Sequence, residues 1–86
     1  MEYKVYFLKS CAKGKYYIGC TANIEERLKE HNAGKTRSTR PYKPWKVIHT
    51  ENFSDKKEAY KREWYLKHPK GYTEKLNIIK NSGEVA

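Results

Sequence analysis

The sequence predicts a small α/β domain in which one sheet carries a few helices. Three observations lead there. Residues 2–9 and 15–20 alternate apolar and polar side chains on either side of a short polar loop, the pattern of a β-hairpin. Two helix-start signals lie downstream, Asn23 with Glu26 and Ser54 with Asp55. Finally, 86 residues bury roughly 60–65% of their surface, enough for one sheet with its helices and little more.

In the hairpin, side chains alternate between faces, so the pairing register decides which residues meet. The apolar pattern predicts Tyr6 opposite Tyr17, with Val5 against Ile18, Phe7 against Tyr16 and Tyr3 against Cys20. That register gathers the apolar side chains onto one face. Lys4, Tyr6, Leu8, Lys15, Tyr17 and Gly19 take the other, which sets two phenols side by side and turned away from the core. A one-residue slip would mix the two sets and bury a lysine.

Asn23 begins the first helix. Its side chain is expected to accept from one backbone donor while Glu26 reaches back to another. Ile24 and Leu28 make the apolar stripe, and Gly34 is the stop. Arg27 and His31, four residues apart, share a face that borders this stripe. Residues 35–44 hold four basic side chains, several hydroxyls and two prolines, which predicts a loop. It is either a solvated connection or a flap that grips phosphate.

Residues 45–51, β-branched and aromatic, read as a third strand. Ser54 and Asp55 cap a second helix that runs to about Lys67 and stops before Pro69. Ala59, Glu63 and Leu66 share one of its faces, so a carboxylate interrupts a stripe that otherwise looks buried. Such a group is costly if unpaired. Either an arginine neutralises it or it holds a metal ion. Thr73 starts a short helix with Tyr72, Leu76 and Ile79 on one side. The expected organisation is a single domain over residues 1–80, with residues 81–86 a frayed tail.

The formal net charge is +9, with 19 Lys and Arg against 10 Asp and Glu. This balance points to a polyanionic partner, solubility alone being the plain alternative. No apolar run approaches the ~18 residues of a membrane span. Residues 1–4 lack the apolar stretch of a signal peptide, so the expectation is a cytoplasmic protein with no membrane partner. Cys11 falls in the hairpin turn and Cys20 at its far end, too distant for a disulfide. Two cysteines without a matching pair make no zinc site.

Tyr6, Tyr17, Arg27, His31 and Glu63 are the polar side chains that the pattern leaves close to the sheet. Hydrolysis of a phosphodiester needs a deprotonated water, compensation of phosphoryl charge and a stabilised leaving oxygen. One carboxylate with a hydrated Mg²⁺ can supply a Lewis acid, and an arginine can fork onto phosphate oxygens. A tyrosine can act as a base if nearby cations favour its phenolate. Singly, each residue has an ordinary structural explanation; the combination is more specific than its parts.

In this order and spacing, Val5-Tyr6-Phe7, Tyr17-Ile18-Gly19, Arg27, His31 and Glu63 resemble the GIY-YIG nuclease domain, in its small stand-alone bacterial form. The likeness covers residues 3 to about 80. It implies a three-stranded antiparallel sheet flanked by three helices and a metal-dependent endonuclease cutting DNA, structured or branched, with RNA as the alternative substrate. Tyr6 and Tyr17 would be the motif tyrosines, as general base or water-orienting groups. Arg27 would stabilise the transition state, and Glu63 would hold one Mg²⁺ or Mn²⁺. His31 would handle a proton, and Gly19 would let backbone pack beneath the site.

The first motif departs from the family, keeping only its tyrosine. Asn77 is the nearest candidate for an asparagine that some relatives use. With no length for a separate DNA-binding module, Lys15, Lys35, Arg37, Arg40 and Lys43 are left to hold the nucleic acid, or a protein partner supplies target choice. The competing reading is a nucleic-acid-binding module with weak or vestigial chemistry. Oligomeric state is not legible from these residues.

Overall fold

Strand β1 (Tyr3–Ser10) is the spine of the sheet. It pairs antiparallel with β2 (Tyr16–Thr21) on one side and with β3 (Trp45–Phe53) on the other, giving the order β2-β1-β3. Helices α1 (Ile24–Asn32), α2 (Lys56–Lys67) and α3 (Tyr72–Asn81) complete the expected α/β architecture. The computed structural model describes residues 2–82.

The hairpin register differs from the expected one by two residues. Tyr6 pairs with Gly19 rather than Tyr17, Val5 with Cys20, Phe7 with Ile18 and Leu8 with Tyr17. The turn is the cause. Ser10 N–H donates to the Lys15 carbonyl at 2.8 Å, leaving a four-residue loop, residues 11–14, closed by Gly14 at φ +66°. Ser10 Oγ accepts from the backbone N–H groups of Ala12 and Lys13 at 3.2 and 3.0 Å, which ties this longer loop down. Loop length sets register in a hairpin. A shift of two keeps every side chain on its expected face, so the face assignment survives while the partners change.

The face bearing the tyrosines is not turned away from a core. Tyr6 is 2% exposed and Leu8 fully buried; with Trp45 they form a cluster to which Tyr17, Ile24, Leu28, Tyr42 and Val47 contribute. The opposite face packs Val5, Phe7 and Ile18 against Ala59 and Leu66 of α2 and Ile79 of α3. The sheet is therefore covered on both sides, with α1 and the 35–44 segment on the tyrosine side. Lys4 Nζ is held by Asn52 Oδ1 at 2.5 Å, and Lys15 precedes β2 with its amine 5.7 Å from the Tyr42 ring centroid. Both keep the face expected of them, with Asn52 and Tyr42 as their partners.

A bulge in β3 makes this two-sided packing possible. Phe7 pairs with His49 but Leu8 with Val47, so Ile48 is the extra residue. It reverses the alternation, which sends Phe53 and Ile48 to one cluster and Val47 and Trp45 to the other.

The caps match the sequence closely. Asn23 Oδ1 accepts from Glu26 N–H at 3.1 Å, but the Asn23 N–H donates to Thr21 Oγ1 instead of to the Glu26 side chain. Asp55, the second of the two expected cap residues, accepts from Lys57 N–H at 2.8 Å. Gly34, at φ +77°, lies just past the end of α1. On α3 the apolar side is buried only in part: Ile79 is in the core, but Tyr72 and Leu76 are exposed. The helix reaches Asn81, inside the stretch expected to fray, and residues 83–86 lie outside those described. Cys11 is exposed in the turn and Cys20 half-buried in β2, both as free thiols.

The 35–44 segment is more than a solvated connection. It holds a short 3₁₀ turn, Arg40–Tyr42, and its Thr39 is 1% exposed. Trp45 Nε1–H donates to the Thr39 carbonyl at 2.9 Å and Ser10 Oγ–H to the Tyr42 carbonyl at 2.5 Å, fastening the segment to the sheet.

Candidate active site

Gly19 positions the first functional group. A Cβ there would stand 2.4 Å from Tyr6 Oη and 2.6 Å from its Cζ, so the bare glycine is the space in which the Tyr6 ring lies across β2. The expectation that Gly19 admits close packing holds, with a side chain rather than backbone as the neighbour. The Tyr17 ring stands at 6.2 Å between centroids, on the same face.

The last turn of α1 delivers His31 to these rings, 5.0 Å from the Tyr17 centroid and 1% exposed. Its two nitrogens have different partners. Thr39 Oγ1 lies 2.9 Å from Nδ1 and is 3.4 Å from the Thr36 carbonyl, to which its hydroxyl proton can go. The hydroxyl is then an acceptor for Nδ1–H. That assigns the lone pair to Nε2, which receives the Tyr6 O–H at 3.2 Å. Burial, reinforced by the positive charge of Arg27, holds the His31 pKa below its ordinary value, so this neutral tautomer is the stable one at pH 7.

Charge converges on the Tyr6 hydroxyl. Burial pushes its pKa upward, Tyr17 and Glu63 add to this, and Arg27 opposes it. Tyr6 is therefore a protonated phenol with a ready acceptor, and not a standing phenolate. Arg27 is the most exposed of the group, its guanidinium 3.4 Å from Glu30 Oε1 on the same helix. It can turn toward an incoming anion.

Glu63 comes from α2, on the other layer. Its negative charge also raises the Cys20 thiol, after burial, which sets the acid close to β2. The side chain is 20% exposed, and its partner is Lys67 Nζ at 2.9 Å rather than an arginine. Arg62, one residue earlier, is engaged elsewhere: it pairs with Glu51 at 2.7 Å and with Glu74. Lys67 also stands 5.3 Å from the Tyr17 ring centroid, joining Glu63 to the phenols. No group of three or more His, Cys, Asp or Glu side chains suited to a metal occurs among the described residues. One carboxylate beside phenolic oxygens suits a hard cation that keeps most of its waters, and not zinc.

Tyr6, Tyr17, Arg27, His31 and Glu63 are thus brought into one cluster. Asn77 is exposed on α3, off the side that carries Tyr72, Leu76 and Ile79. Of the expected nucleic-acid contacts, Lys35, Arg37 and Lys43 are exposed on the 35–44 segment. Arg40 Nε–H is bound to the Gly34 carbonyl at 2.6 Å, which gives it a structural duty as well.

Known proteins resemble this chain over most of its length. Residues 2–77 match the family model described as the GIY-YIG catalytic domain. The chain belongs to the GIY-YIG family. A UPF0213 protein of Lactococcus lactis subsp. cremoris is 36% identical over 77 residues, covering 88% of this chain and 79% of its own length. A UPF0213 protein of Syntrophus aciditrophicus is 39% identical over 82 residues, covering 93% and 92%. The solution NMR structure of a UPF0213 protein from Bacillus halodurans superposes with a TM-score of 0.58 at 30% identity, covering 98% of this chain and 89% of that one. GIY-YIG membership supports a nuclease-type function, with nucleic acid as the substrate class.

Two contributors to this GIY-YIG site were not found by reading the sequence. Thr39 sits in a basic run whose composition signals only a loop, and no spacing ties it to His31. Lys67 was detectable, because it lies four residues beyond Glu63, the spacing at which helical side chains pair.

Proposed function

We propose that this GIY-YIG domain is a metal-dependent endonuclease that hydrolyses phosphodiester bonds in DNA at a single site. The observation that carries the reading is the packing of Tyr6, Tyr17 and His31 against one another, with Glu63 tied to Tyr17 through Lys67 and the charge of Arg27 acting on the Tyr6 hydroxyl. Glu63 would hold one Mg²⁺ or Mn²⁺, which when bound offsets charge on the phosphoryl oxygens. Arg27, exposed and close, forks onto the same oxygens. Tyr17, half-buried at the rim, orients the attacking water. The proton lost by that water passes to Tyr6 Oη as the Tyr6 proton moves to His31 Nε2, while Thr39 keeps the imidazole in the receptive tautomer. The oxygen–phosphorus bond to the leaving group breaks as the new one forms, and the departing oxygen takes its electron pair.

Cleavage of end-labelled DNA substrates in Mg²⁺, Mn²⁺ or EDTA tests this. Products are expected with either metal, absent in EDTA, and reduced at least a hundredfold by Glu63→Gln with an unchanged circular dichroism spectrum. Cutting that persists undiminished in EDTA or in Glu63→Gln would overturn the reading. The Glu63–Lys67 pair favours one alternative, a binding module whose carboxylate is already neutralised. That alternative predicts salt-sensitive binding and no products with either metal.

A further inference from the structure

The apolar side of α3 is only half used by the core. Ile79 is 6% exposed, but Tyr72 is 54% and Leu76 43% exposed. Together with Tyr17 of β2 these two border a groove of about 600 Å³, floored by Ile18 and Ile79. Lys67, Lys75 and Lys80 rim it, and among the described residues no acidic side chain lines it. Two of the amines stand beside aromatic rings, Lys67 at 5.3 Å from the Tyr17 centroid and Lys75 at 5.0 Å from that of Tyr72. Tyr17 and Lys67 also belong to the candidate active site, so groove and site form one continuous surface along β2, an edge strand of the sheet.

A groove of this kind combines apolar walls with a single sign of charge. An apolar peptide would bring no counter-charge to this lysine rim, of which Lys67 is already paired with Glu63. A duplex keeps its bases stacked inside and cannot present a ring face to Tyr72. Unpaired nucleotides match both features, since bases stack on aromatic side chains while ammonium groups hold the phosphates.

We propose that the β2–α3 groove binds an unpaired stretch of nucleic acid, one base stacked on Tyr72 beside Leu76, and leads that strand to Tyr17 and Glu63. This deepens the nuclease reading and rests on it for the cleavage step, but the binding can be measured separately.

The test is fluorescence anisotropy of the full chain in EDTA, with labelled oligo(dT), oligo(rU) and a DNA duplex of equal length. Both single strands, or the one whose sugar fits, are expected to bind at least tenfold more tightly than the duplex. Tyr72→Ala should weaken single-strand binding about tenfold or more, and Tyr72→Phe should retain it. Trp64→Ala should leave it unchanged, because that exposed aromatic lies on α2 outside the groove. Circular dichroism confirms that each variant folds.

Equal or tighter duplex binding, no effect of Tyr72→Ala, or an equal effect of Trp64→Ala would overturn the proposal. So would a dimer in light scattering that Leu76→Glu dissociates, which would make a second copy the occupant. If Tyr72 governs strand binding but no substrate is cut with Mg²⁺, the groove stands and the nuclease reading fails. If cutting occurs while binding ignores Tyr72, the reverse holds.

Discussion

Gly19 shows how one residue fixes the geometry of the whole site. Its missing side chain is where the Tyr6 hydroxyl resides, and that hydroxyl is bonded to His31 at 3.2 Å. Gly19→Ala must displace the ring, because the phenol is packed on every side and has nowhere to yield. The expected cost is about 1–3 kcal/mol, as for other overpacked core positions, read as a lower urea midpoint, with loss of cleavage alongside. Gly14 is the matched contrast. At φ +66° it favours glycine, yet a Cβ there meets nothing within 4 Å. Gly14→Ala should therefore cost stability through backbone strain alone and leave the His31–Tyr6 pair intact. Both tyrosines, Arg27, His31 and Glu63 were legible in the sequence as an ordered set. Their division of labour was not, because it depends on how far burial raises Tyr6 and lowers His31.

Among the elements, α1 carries the heaviest positional duty, since it aims His31. Its C-terminal end is pinned by Asn32, whose Nδ2–H donates to the Trp45 carbonyl at 3.1 Å and whose Oδ1 accepts the Trp45 N–H at 2.5 Å. This pair of bonds docks α1 onto the start of β3. Asn32→Ala removes both and leaves two backbone groups without their partner. A loss of about 2–3 kcal/mol is expected in urea unfolding. Cleavage should fall further than the shift in midpoint explains, because the imidazole is no longer held. The helix boundaries and caps were readable from local side-chain chemistry, which acts over three or four residues. The bulge at Ile48 was not, because it reconciles β3 with two cores that only the assembled sheet defines.

At the scale of the molecule, the titrations of His31, Glu51 and Tyr6 shape the pH dependence of stability. The folded pKa of His31 is lowered, so the unfolded chain takes up that proton first. The His31 contribution is complete above the unfolded value of about 6.5 and is lost as pH falls below it. Glu51 acts in the same direction lower down. Burial alone would raise it, but hydrogen bonds from Arg62 and His49 outweigh this, so its contribution fades as pH falls below about 4.3. Tyr6 is raised, which removes stability as pH climbs past about 10. Urea midpoints are therefore expected to be flat between about pH 7 and 8, above which the raised Cys20 thiol also begins to remove stability, with a first acid step that His31→Gln abolishes. A midpoint that rises on acidification from pH 7 to 5 would contradict the burial of a neutral imidazole. No helix among the described residues is long and apolar enough to cross a membrane.

Local chemistry written in the sequence determined the faces of the hairpin strands, the helix starts and the candidates for the site. Alternation separates odd from even residues, capping acts within one turn, and the motif spacing names its own members. Only the tertiary structure decided the register, the second core, the Lys67 partner of Glu63 and the hold of Thr39 on His31. A two-residue shift leaves the alternation unchanged, so the faces could be read while the pairing waited for a four-residue turn closed by Gly14. Thr39 lies eight residues beyond His31 in a segment with no period of its own, and its place beside the imidazole is set by Trp45 and the sheet against which that segment folds.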